Sequence, residues 1–220
     1  IDQQDPTCNL HWSLLAGIGR VESNHGRHGG SALQADGRAV PPIIGIRLDG
    51  RLPGSARIGD SDGGRWDGDR AFDRAVGPMQ FIPGTWNRYG ADADGTGVAD
   101  PQDIDDAALA AARYLCAGSV DLATRAGQRA AVYRYNHSHE YVARVLALAD
   151  GYRQGRPGLP AGSGSGSGGS GTGGGAVVAG PPTGRGSSSS RSSTARPASA
   201  GSTPRSTTAT TTSTTTRRPT

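Results

Sequence analysis

The sequence predicts a mainly α-helical domain with minor β structure over residues 1–155, followed by a disordered tail over residues 156–220. Apolar residues recur at helical spacing in several windows of the first part. All three Trp, all six Tyr and both Phe also fall before residue 156. From Arg156 onward the chain is chiefly Gly, Ser, Thr, Pro and Ala with scattered Arg, and it holds no aromatic or acidic residue. Such a segment cannot bury enough apolar surface to offset the entropy of ordering it. The first part is long enough for one ordinary core.

The expected elements follow in chain order. A first helix is predicted from about Asn9 to Ser23, because Leu15, Ile18 and Glu22 share one face at spacings of three and four. Residues 26–70 are rich in Gly, Pro and Asp and read as long loops over a groove, with one apolar run, PPIIGIRL at 41–48, expected to be a small strand or strand pair. A helix is predicted around Thr85–Tyr89, and another has Ile104, Ala108, Ala111 and Leu115 as its core face. Two more are predicted over Leu122–Tyr133 and His139–Tyr152, the last with Tyr141, Val145, Leu148 and Tyr152 in register.

The net charge of +4 raises the question of nucleic acid, and its distribution answers it. Seven of the 23 Arg lie in the tail; the other 16, set against all 19 acidic residues, leave the first part at −3. A basic nucleic-acid-binding domain is therefore not expected. The tail could touch anionic polymers through salt-sensitive contacts, and a solvated linker is the plainer reading. The chain opens on Ile1 and has no apolar run long enough to span a bilayer, so a processed, exported protein without a transmembrane segment is expected. Cys8 and Cys116 lack the paired spacing of a zinc site. They form either one disulfide or two separate buried thiols; in an exported protein the bridge is expected, contributing up to ~4 to 5 kcal/mol on the chain-entropy model.

The chain has only two Glu. Glu140 opens the last helix, where it serves the helix dipole. Glu22 ends an apolar helical stripe and precedes the flexible stretch SNHGRHGG. A carboxyl group at an apolar wall has a raised pKa and can donate a proton near neutrality, as the departure of a glycosidic oxygen requires; an exposed carboxylate at a helix end is the alternative on spacing alone. The segments LLAGIGRVESNHG, AVGPMQFIPGTWNRYGADADGTGVADP, AALAAARYLC and YRYNHSHEYVARVLALADGY occur in that order and cover nearly all of residues 8–152. Together they resemble the lytic murein transglycosylase B family in its actinobacterial form.

The resemblance implies a fold like goose-type lysozyme, a deep saccharide groove and glycan strands of peptidoglycan as partner, with the enzyme outside the cytoplasm and acting as a monomer. It implies Glu22 as the single catalytic acid/base. Gln80 would bond saccharide, with Met79 and Phe81 as groove or packing residues. Tyr135 and Asn136 would position sugar near Glu22, and Tyr141 is a further contact. Phe81 could equally be core, and Asn136 could cap the last helix. The implied reaction cleaves the β-1,4 bond after N-acetylmuramic acid and forms a 1,6-anhydro end. The alternatives are a lysozyme-type hydrolase, a non-catalytic peptidoglycan-binding protein and a calcium-dependent adhesion module. Asp60, Asp62, Asp67, Asp69 and Asp73 precede GPMQF, and one of them could serve as a second carboxylate; Asx turns in a Gly-rich loop are the preferred reading.

Residues 92–103, DADGTGVADPQD, align with a twelve-residue calcium loop: Asp92, Asp94 and Thr96 at positions one, three and five, Gly97 at the turn, Val98 giving its carbonyl, Asp100 at nine and Asp103 last. Thr96, Pro101 and the short Asp103 depart from that pattern. Two readings stand, a structural calcium site or a turn whose Asp residues bond their own backbone. No other cofactor is expected to be required. His25, His28, His137 and His139 flank the saccharide motifs without a ligand pattern, and no zinc is expected.

Overall fold

The structure, a computed structural model, describes residues 7–118 and 120–156, so the predicted tail beyond Arg156 lies outside the described residues. Among the described residues five helices are present: α1 (Trp12–Ser23), α2 (Pro83–Tyr89), α3 (Ile104–Cys116), α4 (Arg125–Tyr135) and α5 (His139–Arg153). Two small antiparallel sheets complete the fold, β1 (Ala32–Leu33) with β2 (Ala39–Val40), and β3 (Ile44–Arg47) with β4 (Arg74–Val76). The architecture is mainly α with minor β, as the periodicity predicts.

Local chemistry sets the helix ends. The α1 N-cap is His11, whose Nδ1 accepts from the Ser13 amide. The helix stops where Asn24 turns left-handed and the amides of Asn24 and His25 close onto the carbonyls of Arg20 and Gly19. Pro83 opens α2, where its missing N–H costs nothing. Asp103, Thr124 and Ser138 cap α3, α4 and α5 through their side-chain oxygens. The Thr124 cap explains why α4 starts later than expected: Leu122 precedes the helix as a buried residue whose amide donates to the Cys8 carbonyl.

The α1–α5 pair is the most extensive helix contact. It depends on Gly17, because a Cβ there would lie 2.7 Å from the Val145 carbonyl oxygen. The principal core gathers Leu14, Ile18, Met79, Phe81, Ala110, Ala111, Leu115, Val132, Val145 and Leu146. Burying each large aliphatic side chain contributes about 1.5–3 kcal/mol.

Several core faces are rotated from those expected. In α1, Leu14 is buried and Leu15 only partly so. In α3, Ala107, Ala110, Ala111, Tyr114 and Leu115 face inward, while Ile104 and Ala108 are half-buried. The α5 stripe is Tyr141, Val142, Val145, Leu146 and Ala149, with Leu148 and Tyr152 at its margin. The cause in α3 is the run of alanines, whose equal hydrophobicity leaves the direction of the face to tertiary packing. Cys8 and Cys116 form the expected disulfide, tying the segment before α1 to the end of α3 across 108 residues. No helix among the described residues is long and apolar enough to cross a membrane.

Candidate active site

The left-handed stop of α1 leaves Glu22 one residue short of the helix end, and only 9% of it is exposed. Burial pushes its pKa from 4.5 up to about 8, against the opposing effect of a hydrogen bond from Tyr141. That hydroxyl, in the first turn of α5, donates to Glu22 Oε1 at 2.5 Å. The geometry of α1 against α5 therefore sets this contact. The Tyr141 hydroxyl is itself held well above its ordinary pKa, first by burial and then by the Glu22 charge, so it remains a donor.

A four-residue turn between β4 and α2 forms the second wall. Val76 and Phe81 exchange backbone hydrogen bonds around Gly77–Gln80. Gly77 has φ +76°, and a Cβ at this position would stand 1.6 Å from the Pro101 carbonyl oxygen, so only glycine fits. Two side chains fasten the turn to the helices. Ser23, next to Glu22, donates its hydroxyl to the Pro78 carbonyl at 2.6 Å, and Tyr135, at the end of α4, donates to the Met79 carbonyl at 2.8 Å. The Tyr135 pKa is raised by burial and then by Glu22, which places its ring within the electrostatic reach of the carboxyl group.

Gln80 sits half-buried at φ +50°, an uncommon conformation for a residue with a side chain. Its Nε2 donates to the Gly77 carbonyl, and its Oε1 lies over β3 where Gly45 lacks a Cβ. Met79 is 2% exposed, with its sulfur against Gly19; Phe81 packs edge-on to Trp86 and Tyr135. Both belong to the core. Asn136 is buried just after α4, its amide donating to the Val132 carbonyl and its carbonyl accepting from Ser138. Among the described residues its side-chain amide has no hydrogen-bond partner. Glu22, Tyr135 and Tyr141 are thus brought together, with the Gln80 turn bolted to them through Ser23 and Tyr135.

Ser23 was not singled out in the sequence because a serine at a helix end is ordinary; its partner is 55 residues away. His25, one of the histidines flanking the saccharide motifs, has its Nε2 2.7 Å from the Tyr152 hydroxyl and joins the loop after Glu22 to the end of α5.

The upstream aspartates bond their own loop. Asp60 accepts from the amides of Asp62, Gly63 and Gly64, and Asp62 accepts from those of Gly64 and Trp66. Asp67 accepts from Asp69 and Arg74 amides, while Asp69 pairs with Arg47 and Arg74. Asp73 is fully buried, accepts from the Ser61 amide and hydroxyl, and has its pKa raised by burial.

In the calcium-like loop, Asp103 caps α3 through the amides of Asp105 and Asp106. Asp100 pairs with Arg38, and the Thr96 hydroxyl donates to the Val98 carbonyl. The carboxylates that converge are those of Asp92, Asp94 and Asp106, each with an oxygen within 4.8 Å of the others. Asp106 lies three residues beyond the expected end of the loop and was not anticipated. Three carboxylates with lone pairs to spare match the donor chemistry of a hard divalent cation, although each also accepts a backbone N–H. Histidine takes part in no such cluster among the described residues. His137 and His139 pack against the Tyr133 ring, and His28 is exposed.

No curated protein and no solved structure matches the chain. A family model does: residues 71–120, which run from β4 through the Gln80 turn, α2 and the Asp-rich loop to just beyond α3, match the Transglycosylase SLT domain.

Proposed function

We propose that the chain is a peptidoglycan lytic transglycosylase of the lytic murein transglycosylase B type, with Glu22 as its only acid/base. The observation that carries this reading is a lone buried glutamic acid, held by Tyr141, beside a segment that matches a transglycosylase domain. With a pKa of about 8, Glu22 is about nine-tenths protonated at pH 7, the form an acid must have before the bond breaks. It gives its proton to the glycosidic oxygen between N-acetylmuramic acid and the next N-acetylglucosamine. As the C1–O bond opens, the acetamido oxygen of the same muramic residue shields the developing positive charge at C1. The resulting carboxylate is stabilised by the Tyr141 hydroxyl and removes the proton from the 6-hydroxyl, whose oxygen closes onto C1. The proton balance returns Glu22 to its starting form, and no water is consumed.

Gln80 and the unpartnered Asn136 amide are assigned to holding the strand. Tyr141 acts through Glu22, and Tyr135 holds the Gln80 turn. Asp92, Asp94 and Asp106 would hold a calcium ion, whose contribution would be to neutralise their mutual repulsion and stiffen the loop before α3. The disulfide accords with an extracytoplasmic setting.

Mass spectrometry of digested peptidoglycan tests the reading. Wild type is expected to release 1,6-anhydro ends and Glu22→Gln none. Reducing ends would assign a hydrolase, and identical products from both proteins would remove Glu22 from the chemistry.

A further inference from the structure

An open cavity of about 580 Å³ lies beside the second sheet, lined by Ile44, Asp67, Gly68, Asp69, Arg70 and Arg74. Its lining balances two carboxylates against two guanidinium groups in number, but not in pairing. Asp69 is shared by two guanidinium groups, with Arg47 Nε at 2.9 Å and Arg74 Nε at 3.3 Å. Asp67 is occupied by backbone amides. Both lining carboxylates are thus engaged, while Arg70 has neither ion pair nor side-chain hydrogen bond among the described residues. Ile44, 38% exposed, adds an apolar floor. The cavity also adjoins the Gln80 side: Ile44 precedes Gly45, whose bare Cα admits the Gln80 Oε1 and whose carbonyl accepts from Arg74.

We propose that this cavity binds a carboxylate of the peptide stem carried by the glycan strand, with Arg70 as the anion-binding residue and Ile44 as the apolar contact. The inference rests on the glycan-cleaving reading above. In that polymer the lactyl carboxyl of muramic acid is spent in the amide to the stem, so the free carboxylates lie on the peptide. A guanidinium with open donors beside an apolar side chain suits such a group.

Cleavage of intact peptidoglycan is compared with cleavage of strands freed of peptide by an amidase and then amidated at the lactyl carboxylates so released, using wild type and Arg70→Ala. The variant is expected to lose about tenfold in kcat/KM on intact material, the scale of one charge-assisted hydrogen bond, and to match wild type on stripped strands. Arg70→Lys should recover part of the loss. Equal losses on both substrates, or no loss on either, would overturn the proposal. If wild type cleaves neither material, the glycan-cleaving reading fails by itself. Titration with a synthetic stem pentapeptide then still decides: binding by wild type that Arg70→Ala abolishes upholds the site, and its absence in wild type overturns it.

Discussion

Replacing Glu22 by Gln should stabilise the folded protein in alkaline solution and leave it unchanged in acid. The isosteric amide retains an oxygen to accept the Tyr141 hydrogen bond but cannot ionise. In wild type the folded pKa of Glu22 is about 8 against 4.5 as the ordinary value. The folded state therefore holds the proton more tightly between those limits, and the slope of unfolding free energy with pH is negative there. Stability from this group is fully present below pH 4.5 and is lost as pH rises through 8. At 1.36 kcal/mol per unit the loss reaches about 5 kcal/mol above pH 8 and about 3 kcal/mol at pH 7. For a domain of this size each kcal/mol moves the melting temperature by roughly 2–4 °C. Thermal unfolding of both proteins across pH 4–9, disulfide intact, should give curves that coincide at pH 4 and separate by roughly 10–20 °C at pH 9, with the variant higher. Other titrating groups cancel in the difference. Parallel curves would refute the assignment of a buried, protonated Glu22.

Tyr141→Phe removes a hydrogen bond that favours the Glu22 carboxylate, so its pKa should rise further and the alkaline limb of the activity profile should move up by about one to two units. An unmoved limb would separate Tyr141 from acid catalysis. Replacing Cys8 and Cys116 together by Ser should cost ~4 to 5 kcal/mol in denaturant unfolding, from the entropy of a loop of 108 residues. Calcium at millimolar concentration should raise the melting temperature by a few degrees in wild type and not at all in Asp106→Asn; an equal rise in both would place any bound ion elsewhere.

Helices were legible where apolar residues recurred at helical spacing. The stripe beginning at Tyr141 defines α5 to within a residue, but its cap is Ser138 and not Asn136, which ends α4. The strands were less so: Ile44–Arg47 falls inside the apolar run at 41–48, but its partner Arg74–Val76 is three residues long, too short for alternation to register. In the candidate site, Glu22 was marked by its place at the end of a stripe. Its contact with Tyr141 spans 119 positions and depends on how two helices cross, which one-dimensional spacing does not encode. The cluster of aspartates before α3 shows the same limit from another direction. Template spacing pointed to Asp103, but the capping demand of α3 claimed that carboxylate, and the one that converges with Asp92 and Asp94 is Asp106, in the first turn of the helix.

The close approach of Gly17 to Val145 makes the acid's geometry a property of two backbones. Glu22 lies five residues along one helix from that crossing, and Tyr141 lies four residues back along the other. The crossing acts as a fulcrum and the hydrogen bond is read out at the ends of its arms. A single methyl group at Gly17 would wedge the helices apart and part the hydroxyl from the carboxyl without altering either. The contact between Glu22 and Tyr141 can therefore be set a full helical turn away from it, by anything that changes the distance between α1 and α5.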